Sequence, residues 1–556
     1  TSIESAPCSK LKMIGSHSFY ECENLKSVSF KQNRSLDFGD FCFSKSDNLT
    51  DVEISCETVK ILENCFFNCT SLSRFKVTES NANLLFAFSF KGCTSLTEIS
   101  FSNSSVLQIG EECFSEVNNL KSVTFKEMKE VKLNAQAFKN CQNLENVSIT
   151  NVSDIQIGKE CFCCLNKLNS IEFISDSINL GDDFVSKCNS LTKVNIQSKG
   201  EITILSNSLQ SNQLKSVILH SQKLKLSSYC FKGLKCLESI EIETDNLEMR
   251  DDCFKDCTSL STFKYKSNKD ISIDKTKFID CPSLKELALE AKSEIKIPNE
   301  FMSGYKNLES VMLNGLRVEI GNLCFKDCES LRTFTICESD RIKIGDNQFR
   351  NCKKLESISI QLLNTNSKIE FGKFCLNGAT GLKIFNLIGG DVTINNDLFK
   401  FCTSLEQLFI LSASKVVISD NQFANLKELQ DVDIESESEV SLGTACFSKS
   451  DKLESAKIAG KTSITLSNNC FIGCTSLSKI EITGATDLFI GTYAFSNCHK
   501  LEEVDFRVSK KLKINDGCFK KSNVKTALFN GETVEIGNEC FKDVTSIIQI
   551  GISSQT

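Results

Sequence analysis

The sequence predicts a repeat solenoid, and three observations predict it. The residue texture does not change along 556 residues, one short unit recurs throughout, and the apolar pattern inside that unit cannot be buried by a single copy. Phe is abundant at 41, Trp is absent and Pro occurs only 3 times. A globular chain of this length divides into roughly three or four domains, because single cores stop growing well below that size. Here a texture rich in Ser, Asn, Lys, Leu and Ile runs from end to end. One architecture is therefore expected to occupy residues 1–556 as a single solenoid.

The unit is legible in Ile109-Gly110-Glu111-Glu112-Cys113-Phe114 followed by Leu120-Lys121-Ser122-Val123-Thr124-Phe125. Its template, I-G-x-x-C-F-x-x-C-x-x-L-x-x-V-x-I, recurs at 23 anchor positions from Phe19 to Phe541. Twenty anchors are Phe, Phe301 among them, and Val185, Leu209 and Leu376 fill the other three. Coils of 22–27 residues, mostly 23 or 24, lie within the roughly 20–29-residue period of leucine-rich repeats. In Leu120-x-x-Val123-x-Phe125 apolar and polar residues alternate as in a short half-buried strand, so stacked copies make a parallel sheet on one face. Leu107-x-Ile109 alternates likewise and supplies an extended segment on a second side, with Gly110 turning the chain. The Cys positions before and after the anchor are four apart, which predicts a short helical turn that points both inward. At about 4.8 Å per stacked strand the expected rod is about 110 Å long. The irregular spacing near Leu209 and the insert Leu362 to Lys368 are expected as a tightened turn and a surface bulge.

This pattern resembles the BspA-like leucine-rich repeat family of surface proteins from bacteria and parasitic protists. Tyr493-Ala494-Phe495-Ser496-Asn497-Cys498-His499-Lys500-Leu501 matches its Ala-Phe-x-x-Cys-x-x-Leu core closely, and the likeness extends over nearly the whole chain. Two departures are that Cys commonly replaces Ala before Phe, and that the Pro usual after the strand is nearly always missing. The resemblance implies a surface-exposed, protein-binding solenoid.

Thirty cysteines fall into a register. Twelve precede an anchor, twelve follow it by three residues, and six lie elsewhere: Cys8, Cys56, Cys163, Cys164, Cys236 and Cys337. Free Cys is among the most buried residue types, so the register reads as small apolar groups filling a tight ladder, with the off-register six as the places for exceptions. Only His17, His220 and His499 could join them as metal ligands, and no compact four-ligand spacing occurs, so no metal and no cofactor is expected. The sequence holds no G-x-S-x-G, no phosphate loop and no H-E-x-x-H, and its histidines fall in different repeats, so no enzyme is expected either. With 64 basic and 71 acidic residues and no long run of either sign, nucleic acid is not an expected partner. No stretch approaches 18 uninterrupted apolar residues, so no transmembrane segment is expected in this chain.

Function is expected on the outer side of the sheet, where the middle strand position points to solvent. Most such positions are polar, as in Glu53, Lys76, Glu172, Glu241, Lys264, Asp433, Glu481 and Asp505. Ile218, Met312, Phe409 and Leu528 break the rule and are the candidate contact residues, against the ordinary occurrence of single apolar groups on surfaces. Six glycosylation sequons, Asn33, Asn48, Asn68, Asn103, Asn146 and Asn151, cluster in the first 151 residues. The expectation is a non-enzymatic extracellular or cell-surface adhesion solenoid that binds a host, matrix or neighbouring-cell protein. A subunit that self-assembles into a filament or coat through uncapped ends, and a cytoplasmic scaffold, are the alternatives. The start at Thr1-Ser2-Ile3 rather than Met predicts that flanking segments have been removed.

Overall fold

The computed structural model describes residues 1–4, 10–32, 34–209, 211–278, 281–364, 366–395 and 397–554. Contacts group them into two compact units, Thr1–Lys266 with Thr276–Ser283, and Ser267–Lys275 with Leu284–Thr556. Each is a parallel β-solenoid. In the first, Ser27–Lys31 pairs with Asp51–Ser55, which pairs with Arg74–Thr78, each one coil further on. In the second, Gln407–Ser412, Asp431–Ser436 and Ser455–Gly460 repeat the arrangement. The extended segment forms its own parallel ladder, as in Lys415–Ile418, Glu439–Leu442 and Ser463–Leu466. In Asp431–Ser436 the alternation is strict: Val432, Ile434 and Ser436 are buried and the residues between them are not.

The expected helical turn does not recur from coil to coil among the described residues. The described residues contain a single helical element, a 3-10 turn at Lys275–Phe278. Backbone hydrogen bonds explain why. Around the anchor Phe43, the N–H groups of Phe41, Phe43 and Lys45 donate to Glu63, Cys65 and Phe67 of the next coil at 3.1, 2.8 and 2.8 Å. The intervening Cys42, Ser44 and Ser46 donate back three residues, to Gly39, Phe41 and Phe43. An α-helix would consume every one of these donors within the coil, leaving the stack unpaired. Alternating the two directions needs left-handed backbone two residues either side of the anchor, at Phe41 (φ 54°) and Lys45 (φ 56°). Gly92 fills the second slot in its coil at φ 78°, without a β-carbon to crowd. Gly110 answers a different demand: a β-carbon there would lie 2.4 Å from the Phe86 carbonyl carbon of the coil before.

Stacking at strand spacing brings anchor rings face to face. Phe43 and Phe66 lie 5.1 Å apart at 4°, Phe66 and Phe90 5.0 Å at 13°, and Phe90 and Phe114 5.0 Å at 10°. A second run links Phe423, Phe447, Phe471, Phe495, Phe519 and Phe541 at 5.1 to 5.7 Å. Val185, Leu209 and Leu376, at the three anchor positions without Phe, are buried as well. One anchor is displaced from the expected position. Met302, not Phe301, donates its N–H to Cys324 of the next coil and accepts the Cys328 thiol on its carbonyl, the bonds an anchor makes elsewhere. Phe301 is buried in the position just before it. The insert behaves as a bulge: Leu363 donates to Ser339, Leu363 itself is half exposed, and Lys368 regains register with Arg341.

The cysteine ladder has a chemical role beyond filling space. The thiol three residues after an anchor donates to the anchor carbonyl of the preceding coil: Cys69 to Phe43 at 3.0 Å, Cys93 to Phe66 at 3.1 Å, Cys352 to Phe325 at 2.9 Å and Cys474 to Phe447 at 3.1 Å. Ser46 and Ser450 make the same bond with a hydroxyl, to Phe19 at 2.9 Å and Phe423 at 3.0 Å. Cysteine suits the slot because it is small, tolerates burial and still carries a weak donor. Burial pushes the Cys141 and Cys402 thiols up to about 12, so both stay protonated and able to donate. All 29 described cysteines are thiols, and Cys8 lies outside the described residues.

Candidate interaction surface

The outer face of the main sheet offers three side chains on strands such as Ser357–Leu362 and Gln407–Ser412, which are six residues long and point alternate residues out. In the first unit this face is studded with charge. Asp51 and Glu53 are followed by Arg74 and Lys76, and Arg74 holds Asp51 through two hydrogen bonds of 2.8 and 2.7 Å. Ile218 is half-buried here between Asn195 and Glu241, and its neighbour His220 lies 3.6 Å from Glu241.

The second unit carries a different pattern. Five successive strands present Ser310, Met312 and Asn314; Thr333, Thr335 and Cys337; Ser357, Ser359 and Gln361; Ile384, Asn386 and Ile388; and Gln407, Phe409 and Leu411. None of these side chains is charged. The strand before the window opposes it with Glu286 and Glu290, flanking Ala288, and the strand after it with Asp431, Asp433 and Glu435. The window is therefore neutral and closed by acids at both edges. At about 4.8 Å per strand it is roughly 20 Å wide. Met312 is the most open of its apolar members at 43% exposure, and Phe409, Ile384, Ile388 and Leu411 are half-buried.

At the acidic edge the surface dips into a shallow concavity of about 330 Å³ lined by Asn386, Phe409, Asp431, Asp433, Lys457 and Glu481 among others. Asp431 accepts the Ser455 hydroxyl at 2.7 Å, and Lys457 bonds Glu435 while standing 3.9 Å from Asp433. Asp433 Oδ1 is buried without a partner. Burial first, then Glu435 and Glu481, raise the Asp433 carboxyl above its ordinary range against the pull of Lys457.

Of the four residues expected as contacts, the structure brings Met312 and Phe409 onto one window, separated by Thr335, Ser359 and Asn386. Ile218 belongs to the other unit, and Leu528 stands over Gly551, whose β-carbon would meet it at 2.8 Å. The sequence reading missed Ile384, Ile388 and Leu411 because it counted one outward position per strand. Extending the alternation two residues each way would have found them. Asn48, Asn103, Asn146 and Asn151 are exposed, Asn68 is half-buried beside Gly92, and Asn33 lies outside the described residues. His17 stacks on Phe41 at 5.1 Å and His499 is exposed in another coil. Among the described residues no three His, Cys, Asp or Glu side chains converge to hold a metal, and no helix is long and apolar enough to cross a membrane.

The family that matches is the BspA type leucine rich repeat region (6 copies), over residues 1–86, 85–213, 202–332, 295–416, 342–474, 392–507 and 464–556. No curated protein matches. Similar solved structures include a leucine rich cell surface protein of Faecalibacterium prausnitzii, 17% identical over 69% of this chain and 86% of that one, with a TM-score of 0.23. A leucine-rich repeat protein of Bacteroides ovatus is 17% identical over 91% and 87%, with a TM-score of 0.20. The Toll–Spatzle complex of Drosophila, a hub in development and innate immunity, aligns at 9% identity over 91% and 82%, with a TM-score of 0.36. Scores this low carry no argument about this chain.

Proposed function

The chain belongs to the BspA-type leucine-rich repeat family, and from that premise we propose that it is a non-catalytic recognition solenoid at the cell surface or outside the cell, binding protein through the outer face of its second unit. The observation that supports this is the neutral window between Glu286 with Glu290 and Asp431 with Asp433. A sheet face that only needs solvation tolerates charge at any outward position, as the first unit illustrates. Five strands without one, with Met312, Ile384, Ile388, Phe409 and Leu411 among them, suit a partner that displaces water. The partner that suits this window is an uncharged, partly apolar protein surface.

The exposed sequons Asn48, Asn103, Asn146 and Asn151 are consistent with a secreted route, and all belong to the first unit, whereas the window belongs to the second. The test is binding of the intact chain to an array of extracellular and matrix proteins. A bound protein should be lost at Phe409→Asp and Met312→Asp and kept at Lys415→Ala on the other ladder. Binding indifferent to both window substitutions would sink the outer-face reading, and concentration-dependent self-association that they abolish would turn it toward the assembly alternative.

A further inference from the structure

Cys163 and Cys164 lie just after the anchor Phe162, with their Sγ atoms 3.0 Å apart. No other coil has even one cysteine at either of these positions, where Ser44-Lys45, Lys91-Gly92 and Ser496-Asn497 stand elsewhere. Cys163 is buried at 3% exposure and Cys164 is half exposed. The coil holds the pair in place: Cys164 sits in the left-handed slot at φ 62°, its N–H donates to Ser186 at 3.0 Å, and Asn140 N–H donates to the Cys163 carbonyl at 3.1 Å. The ladder thiol of the next coil, Cys188, is already engaged with the Phe162 carbonyl at 2.9 Å.

We propose that Cys163 and Cys164 form a dithiol modification site for thiophilic reagents, closing to a disulfide ring against a low-molecular-weight disulfide and chelating trivalent arsenic. The half-exposed Cys164 is the entry point. Its thiolate attacks one sulfur of the reagent RSSR, forming Cys164–S–S–R and expelling RS⁻. The Cys163 thiol then loses its proton and attacks Cys164 Sγ, closing the ring and expelling a second RS⁻. Two protein thiols are oxidised, and one RSSR is reduced to two RSH. With an arsenoxide, both thiols bond to arsenic and one water leaves. Burial, then the bond to Cys163, hold the Cys164 thiol above its ordinary range while Lys187 and Lys139 pull it down, so reaction quickens as pH rises. Adjacent Cα atoms across a trans peptide are about 3.8 Å apart. Ordinary disulfides span about 4.4–6.8 Å, so this ring is strained and readily reopened by thiols. That distinguishes it from a structural staple.

The test uses the full chain, reduced and freed of reductant, incubated with 2-hydroxyethyl disulfide, quenched with N-ethylmaleimide and mapped by peptide mass. The peptide holding Cys163 and Cys164 should lack two hydrogens and take no maleimide. Cys163→Ser should keep a stable hydroxyethylthio adduct on Cys164, whereas Cys164→Ser should leave Cys163 unreacted. Serine is native at the equivalent of Cys163 in other coils, as at Ser44, so the first variant is expected to fold. A stable adduct on wild-type Cys164, a disulfide to Cys188, or no reaction at the pair while Cys22, Cys236 or Cys337 reacts would overturn the proposal. Phenylarsine oxide gives a second readout: either single serine variant should hold it about 100-fold more weakly, as loss of an intramolecular second contact requires. Equal retention by wild type and variants also overturns the site.

Discussion

The inner column, set in the turn of each coil, and the outer window, set on its strands, obey opposite rules. Along the column, Phe43, Phe66, Phe90 and Phe114 repeat one residue and one ring spacing, and Phe43, Phe66 and Phe114 each accept a thiol on the carbonyl. Across the window the residue changes at every step, from Met312 to Thr335, Ser359, Asn386 and Phe409, while the absence of charge persists. The difference teaches what each side is for. The column is constrained by coils above and below, whereas nothing in the fold asks the window to be neutral.

The largest way to break the comparison is inside. Phe66→Ala removes a fully buried ring between two stacked neighbours and should cost about 3–5 kcal/mol of local stability, read by denaturant titration. Leucine at Phe66 should cost much less, because it keeps an apolar side chain in the site, as buried Leu209 and Leu376 do at their anchor positions. Next in size is the thiol bond. Cys352→Ala should cost about 1–2 kcal/mol and Cys352→Ser less, since Ser46 and Ser450 serve natively. The same ladder should resist a small alkylating reagent in the native chain and react on unfolding without prior reduction. Thiols that stay silent until a reductant is added would replace donors with disulfides.

A smaller effect lies at the window's acidic edge. Because the folded chain raises the Asp433 carboxyl, it binds that proton more tightly than the unfolded chain does. The associated stabilisation is fully present below the unfolded carboxylate value of about 4 and is lost as pH rises through the folded one. Asn at this position should remove the dependence, so the wild type should lose stability relative to Asp433→Asn as pH rises. Smallest of all, Ser359→Lys should change stability by less than about 0.5 kcal/mol in a denaturant titration while placing a charge at the window's centre.

The period, the apolar alternation and the cysteine register were legible in the sequence because each residue type recurs at a fixed offset. The turn was not. A spacing of four between cysteines reads as helix only if N–H groups bond within the coil, and at Phe41, Phe43 and Lys45 they bond to the next coil. Phe301 and Met302 show the second limit: two adjacent apolar residues are indistinguishable by composition, and only the bond to Cys324 identifies the anchor. The window was half legible. Phe409 and Met312 stood out as apolar residues at outward positions, but the neutrality of fifteen side chains emerges only when register sets the five strands beside one another.

The division between a constrained inside and a free outside is tested most directly by a substitution scan of Gln407–Ser412, read as the yield of protease-resistant folded chain. Charged residues at Leu408 and Ile410 should abolish it, while charged residues at Gln407, Phe409 and Leu411 should leave it near wild type, giving a period of two along the strand. Loss of folding at Phe409→Asp equal to that at Leu408→Asp would contradict the account, because the aromatic ring would then belong to the core and not to a binding surface.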